Sequence, residues 1–229
     1  MIFIADPILD PISYGFTDSL VRYVNLREKY PDIHIMMGLG NITELTHADT
    51  TGINMIMLGI IEELKLNHIL TTQVSRHCST VIRETDLARR IIHAASENNL
   101  TPKHINDGLL VHHGHKDYAF CSDELIEMQG NIKDKNYRIY VNDDGIHLFN
   151  KNVYKIFSDP FDFYEHLEVS DDAGHAFYLG VELARAQIAY QLQKEYQQDE
   201  ELSWCCLVDK KVDNKLESKE LGPTFKKRK

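Results

Sequence analysis

The stretch Ile33-His34-Ile35-Met36-Met37-Gly38-Leu39-Gly40-Asn41 decides the fold. A short apolar run that stops at glycine and a polar residue suits a strand buried in a parallel sheet. Pro31-Asp32 breaks the chain just before it. Upstream, residues 17–30 place Leu20, Val24 and Arg27 on one face with Tyr23 beside them, which predicts a helix capped by Thr17 or Asp18. Before that helix, Ile2-Phe3-Ile4-Ala5 is a second short apolar run, stopped by Asp6-Pro7. Downstream, residues 43–52 are polar and turn-like. Ile53, Met57, Ile60, Ile61 and Leu64 then recur at helical spacing as far as Asn67. His68-Ile69-Leu70-Thr71-Thr72 predicts a third strand, and residues 84–98 a third helix with Leu87, Ile91, Ala94 and Ala95 on its buried side.

Strand and helix in alternation is the pattern of βα units on a parallel sheet, so the fold class is α/β. Ligands of such sheets sit at the carboxyl ends of the strands. Those ends carry Asp6, Asn41 and the segment with Gln73 and Arg76. Each of these residues also has an ordinary reading as a loop cap, because Asp before Pro starts turns and Asn tolerates a left-handed backbone.

The pattern changes after Pro102. Residues 105–111 are mixed apolar and lead into His112-His113-Gly114-His115. Ser122 caps a predicted short helix that ends at Gly130-Asn131. Tyr137–Val141 and Ile146–Phe149 flank Asn142-Asp143-Asp144-Gly145, a hairpin signal, and Val153–Phe157 makes a further strand. Residues 161–167 read as a short helix. The longest predicted helix starts near Asp172, with Phe177, Val181, Ala184, Ile188 and Leu192 at a spacing of three or four. Leu179, Leu183, Ala186 and Tyr190 widen its apolar face, and residues 197–201 end it. Residues 202–208 read as a last strand. This divides the chain into an α/β part, 1–104, a small α+β domain, 105–208, and a charged tail, 209–229, expected to be disordered.

Charge narrows the classes of function. The 25 Lys+Arg and 35 Asp+Glu give a net charge of −10, and the tail carries +4 of that balance. An acidic body is a poor general binder of nucleic acid. No run of about 18 apolar residues is present to span a membrane. The N-terminus lacks a basic region and a long apolar core, so no signal peptide is expected. Four cysteines, without CxxC or Cys/His zinc spacing, fit a reducing cytoplasm.

Two patches in the first hundred residues resemble the distal half of a pterin-binding barrel, the TIM-type superfamily of dihydropteroate synthase and the corrinoid methyltransferases. One is Phe3-Ile4-Ala5-Asp6-Pro7-Ile8-Leu9-Asp10-Pro11, similar to the family's strand ending in Asp-Pro. The other is Met37-Gly38-Leu39-Gly40-Asn41-Ile42-Thr43, followed by the helix start Gly52-Ile53-Asn54-Met55. Asn41 stands where the synthases carry a lysine. The third strand, ending Thr71-Thr72-Gln73-Val74, lacks their Arg-Val-His. The second part resembles a domain of unknown function that follows dihydropteroate-synthase-like barrels in archaeal proteins. It matches at Tyr137–Val141, Asp144-Gly145-Ile146, Asp159-Pro160-Phe161, His175–Leu183 and Tyr196-Gln197-Gln198-Asp199.

The resemblance implies a partial (β/α) barrel followed by its accessory domain. It also implies a role in one-carbon metabolism on folate-like or tetrahydromethanopterin-type pterins, with transferase-like chemistry. A reduced pterin is then the expected ligand, bound by Asp6 and Asn41, with Gln73, Arg76, His175 and Glu182 as further candidates. A carboxylate can accept two parallel N–H bonds from the ring's amidine-like edge, and an amide can both donate and accept. A complete barrel needs about 250 residues. With three strands and Met1 on a mid-barrel strand, a truncated or split gene is expected. A protein partner or self-association would then complete the barrel, because open sheet edges invite pairing. Ile4, Ile35, Met37 and Leu70 are expected on the exposed inner face. Two alternatives stand beside this reading. One is a non-catalytic binding or assembly subunit. The other is a small metalloenzyme centred on His112, His113 and His115, although no metal is expected because no further ligand stands at a recognised spacing.

Overall fold

The computed structural model describes residues 3–209. The predicted strand start at Ile2 and all but the first residue of the predicted charged tail lie outside the described residues. The chain forms two compact units, Met1–Val111 with Cys205–Asp209, and His112–Trp204. The boundary falls after Val111 rather than at 104, and a short late segment belongs to the first unit. Both units are mixed α/β with small sheets, and the described residues form no closed barrel. Among the described residues, no helix is long and apolar enough to cross a membrane.

In the first unit, β1 (Ile4–Ala5), β2 (His34–Gly38) and β3 (His68–Leu70) form a parallel sheet in the order β1-β2-β3. Helices α1 (Phe16–Lys29), α2 (Gly40–Thr43), α3 (Thr50–Glu63) and α4 (Val81–Glu97) connect and follow the strands. Alternation along β2 sets the layers. Ile35 and Met37 are fully buried and join Tyr23 of α1, Met57, Leu58 and Ile61 of α3, and Ala88 of α4 in one core. Ile35 and Met37 therefore do not lie on the exposed face, contrary to expectation: the helices cover their side of the sheet. The uncovered side carries Ile4, His34, Met36, His68 and Leu70, and Ile4 and Leu70 are about half exposed there, as expected.

Several local details differ from the sequence reading. Helix α1 begins after Gly15 rather than at Thr17 or Asp18. Gly15 has φ 104, and a Cβ there would sit 3.2 Å from the Asp10 carboxylate, so glycine is required. Residues 44–49 are turn as expected, but α2 reaches Thr43 and α3 already starts at Thr50 rather than at Ile53. Arg27, on the apolar stripe of α1, is a hub at the opposite end of the sheet from the predicted site. Its guanidinium donates to the carbonyls of Pro31 at 2.7 Å, Leu64 and Lys65 at 2.9 Å, and Ile33 at 3.0 Å. Those carbonyls close α1 and α3 and open β2, which is where orphaned acceptors need donors.

In the second unit, α5 (Ser122–Gly130) precedes the antiparallel strands β4 (Arg138–Asn142), β5 (Gly145–Phe149) and β6 (Tyr154–Phe157). Cys121 rather than Ser122 takes the cap position of α5, and its N–H donates to Glu124. Residues 160–166 form a 3-10 turn, and α6 is Ala173–Gln191. The buried stripe of α6 is Leu179, Leu183, Ala186 and Ala189, packed on Ile139, Val141, Ile146 and Leu148. The stripe through Phe177, Ala184 and Ile188 faces solvent instead, with Phe177 76% exposed. Both stripes are apolar, and contact with the sheet selects between them. Gln193 adopts φ 51 and Lys194 N–H returns to the Ala189 carbonyl, so α6 stops before residues 197–201. No strand forms at 202–208, where Cys205–Leu207 is a 3-10 turn and Cys205 has φ 52. The outer edge of β4 is met by a side chain instead. The Gln198 amide accepts from Ile139 N at 2.9 Å and donates to the Tyr137 carbonyl at 3.2 Å, as a neighbouring strand would.

Candidate functional site

Asp6 follows β1 directly and Asn41 lies one turn beyond β2, in α2. Although 35 residues apart in sequence, both line one open hollow of about 300 Å³ at the carboxyl ends of the strands. Ile8, Glu44, Leu45, Leu70 and Thr72 are among the other residues lining it.

The Asp6 carboxylate is held on one side only. Its Oδ1 accepts from Ile8 N at 3.0 Å and lies 3.3 Å from the Tyr23 hydroxyl. The Tyr23 ring is fully buried, and that burial, reinforced by the Asp6 charge, pushes its hydroxyl far above the usual range. Tyr23 therefore keeps its proton, which the Met36 carbonyl, at 3.2 Å, shares with Asp6. Asp6 Oδ2 has no hydrogen-bond partner among the described residues. Asn41 Nδ2 donates to the Leu9 carbonyl at 2.7 Å, leaving its Oδ1 and one N–H without a protein partner among the described residues. Arg22 fixes the segment between Asp6 and Asp10, since its guanidinium donates to Ile8 O at 2.8 Å and Pro7 O at 3.2 Å and pairs with Asp10 at 2.6 Å. The hollow thus offers a carboxylate oxygen and an amide edge on a rigid frame, the arrangement that accepts N–H groups of a ring.

Glu44 was not singled out from the sequence, yet it builds one wall. Its carboxylate accepts from Val74 N and Ser75 N, both at 2.8 Å, and from Thr72 Oγ1 at 3.1 Å. The Val74 and Ser75 contacts, with Thr72 adding to them, pull its carboxyl down to about 2. Glu44 clamps the loop after β3. No local sequence pattern pairs a helix-end glutamate with a loop thirty residues later, so only the fold reveals it.

The weaker candidates do not join this hollow. Gln73 donates to the Ser79 carbonyl within its own loop, and Arg76, itself exposed, opens the 3-10 turn Arg76–Cys78. Neither lines the cavity. His175 and Glu182 belong to the second unit, on α6. His175 N donates to Asp172 Oδ1 at 2.9 Å, in the first turn of that helix. Glu182 is 2% exposed and accepts from Arg185 at 2.7 Å, Tyr196 Oη at 2.8 Å and Asp199 N at 3.1 Å. Its oxygens are occupied, which makes it a structural anchor. Asn54, noted as the opening of a helix, donates at 2.9 Å to Glu84 in a wholly buried pair. His112, His113 and His115 occupy a turn-rich segment in which Gly114 N donates to Leu192 O. Among the described residues, no three His, Cys, Asp or Glu side chains are placed to hold a metal ion. A larger hollow, about 390 Å³, lies beside β4 in the second unit, between residues 116–120 and 195–198. None of the six candidate residues lines it.

An uncharacterized protein of Methanocaldococcus jannaschii is 31% identical to this chain over 228 aligned residues, covering 87% of the chain and 42% of the relative. The chain therefore spans less than half the length of the curated relative it matches. No family model matches the chain. No solved structure matches it with significance.

Proposed function

We propose that the first unit contributes part of a binding site for a reduced, folate-like or tetrahydromethanopterin-type pterin used in one-carbon metabolism. The observation that carries this reading is the meeting of Asp6 and Asn41 in one hollow, with an uncommitted carboxylate oxygen and an uncommitted amide edge. A 2-amino-4-oxopyrimidine ring presents parallel N–H donors beside a carbonyl, and these groups match that edge. Helices on one face of a parallel sheet, with the second face open, are what a segment of a (β/α) barrel would have. The site would be completed by further polypeptide, in this protein or a partner, that adds strands to the open edges of β1 and β3. The match to under half of a longer relative fits that reading. A transferase-like reaction on the pterin follows from the sequence resemblance alone.

Titration calorimetry with tetrahydropterin tests the site. The chain by itself is expected to bind weakly, with a dissociation constant of about 1 mM, and the Asp6→Asn, Asn41→Ala double variant is expected to lose binding. Equal affinity of variant and parent would overturn the assignment.

A further inference from the structure

Eight described non-glycine residues have a left-handed backbone, and Ile8, at φ 63, is the β-branched one among them. The other seven are Ser13, Lys65, Asn99, His104, Gln193, Asp199 and Cys205. A branched side chain in this region clashes with its own backbone and is a true outlier, maintained only where the surroundings over-determine it. They do so here. Asp6 Oδ1 takes the Ile8 N–H at 3.0 Å, and Arg22 takes the carbonyls of Ile8 at 2.8 Å and Pro7 at 3.2 Å. The next residue, Leu9, is buried, with its carbonyl bound by Asn41.

That frame explains the conformation but not the isoleucine. Glycine or asparagine would adopt the same backbone with less strain. Burial does not explain it either, since Ile8 is 58% exposed. Ile8 is also one of the residues that line the hollow, beside Asp6 and Asn41. We propose that Ile8 is an apolar platform, held in place at the expense of fold stability, for the flat face of a planar heteroaromatic ligand whose polar edge meets Asp6 and Asn41. The inference rests on the reading of this hollow as a ring-binding site. It adds a division of labour: a polar edge from the strand ends, and a fixed apolar face from a strained loop. Preorganising the platform avoids ordering a mobile side chain on binding.

The test uses the full chain and the variants Ile8→Gly, Ile8→Asn and Ile8→Val, measured by thermal unfolding and by ligand-observed NMR with tetrahydropterin at millimolar concentration. Ile8→Asn is expected to raise the melting temperature by about 2–4 °C, and Ile8→Gly to melt no lower than the parent. Both are expected to weaken tetrahydropterin binding about tenfold, while Ile8→Val stays within about threefold of the parent. A lower melting temperature for both Gly and Asn variants would refute the strain. Parent-like binding by both, with the parent itself binding, would refute the platform and leave the Asp6–Asn41 site standing. No binding by the parent would overturn the ring site and the platform together.

Discussion

Replacing Arg27 with methionine should loosen the first unit more than any other single change at its surface. The stem can still pack along α1, so the loss is confined to the guanidinium. Of its close contacts, those to Leu64 O and Ile33 O are partly buried, and those to Pro31 O and Lys65 O are open to water. Water can replace the donor at the two open carbonyls at little loss. The two shielded carbonyls would be left without a donor, at roughly 1–1.5 kcal/mol each. The expected destabilisation is therefore about 2–3 kcal/mol, or on the order of 10 °C in melting temperature for a unit of this size. Lysine should not rescue it, because one ammonium on a flexible stem cannot reach acceptors from three elements at once. Urea unfolding followed by far-UV circular dichroism, with α4 and the β2 amides tracked by hydrogen exchange, measures the effect. A change under about 0.5 kcal/mol would show that these contacts are ordinary surface pairs and that the strand ends are aligned by packing alone.

Glu44 makes a prediction in pH. Its carboxyl is lowered to about 2 by the Val74 and Ser75 N–H groups, below the ordinary unfolded value of about 4.3. A depressed pKa stabilises fully above the unfolded value and fades as pH falls from about 4 towards 2. The melting-temperature gap between parent and Glu44→Gln should accordingly close between pH 5 and pH 2, and a constant gap would contradict the clamp. In the second unit, Glu182→Ala strands Arg185, the Tyr196 hydroxyl and the Asp199 N–H. A loss of about 3 kcal/mol is expected from equilibrium unfolding, and a near-neutral result would show that water fills the gap.

Much of the first unit is legible in the sequence because its strands are short apolar runs closed by glycine, proline or a run of polar residues. The positions of β2, α1, α3 and α4 follow from period alone. The layers do not: Ile35 and Met37 were expected to face outward, and nothing local tells which side of a strand the helices will cover. Helix α6 fails in the same way, since two apolar stripes compete and only the β4–β5 sheet chooses between them. The predicted strand at 202–208 is lost because Cys205 takes a left-handed backbone, at φ 52, and Cys205–Leu207 closes into a 3-10 turn. At the site, Asp6 and Asn41 were legible because strand carboxyl ends follow from the strand assignments. Glu44, Tyr23 and Arg22 were not, because each acts on backbone or side-chain atoms distant in sequence. The strain at Ile8 is likewise invisible before the backbone is known.

Amide chemical-shift mapping of the isotopically labelled full chain during a tetrahydropterin titration tests the central claim most directly. The account predicts saturable shifts at Ile8, Leu9, Gly40, Asn41 and Thr72, around the carboxyl ends of β1, β2 and β3, and their loss in Asp6→Asn. Shifts confined to residues of the second unit, or no saturable shift at the ligand's solubility limit, would contradict it.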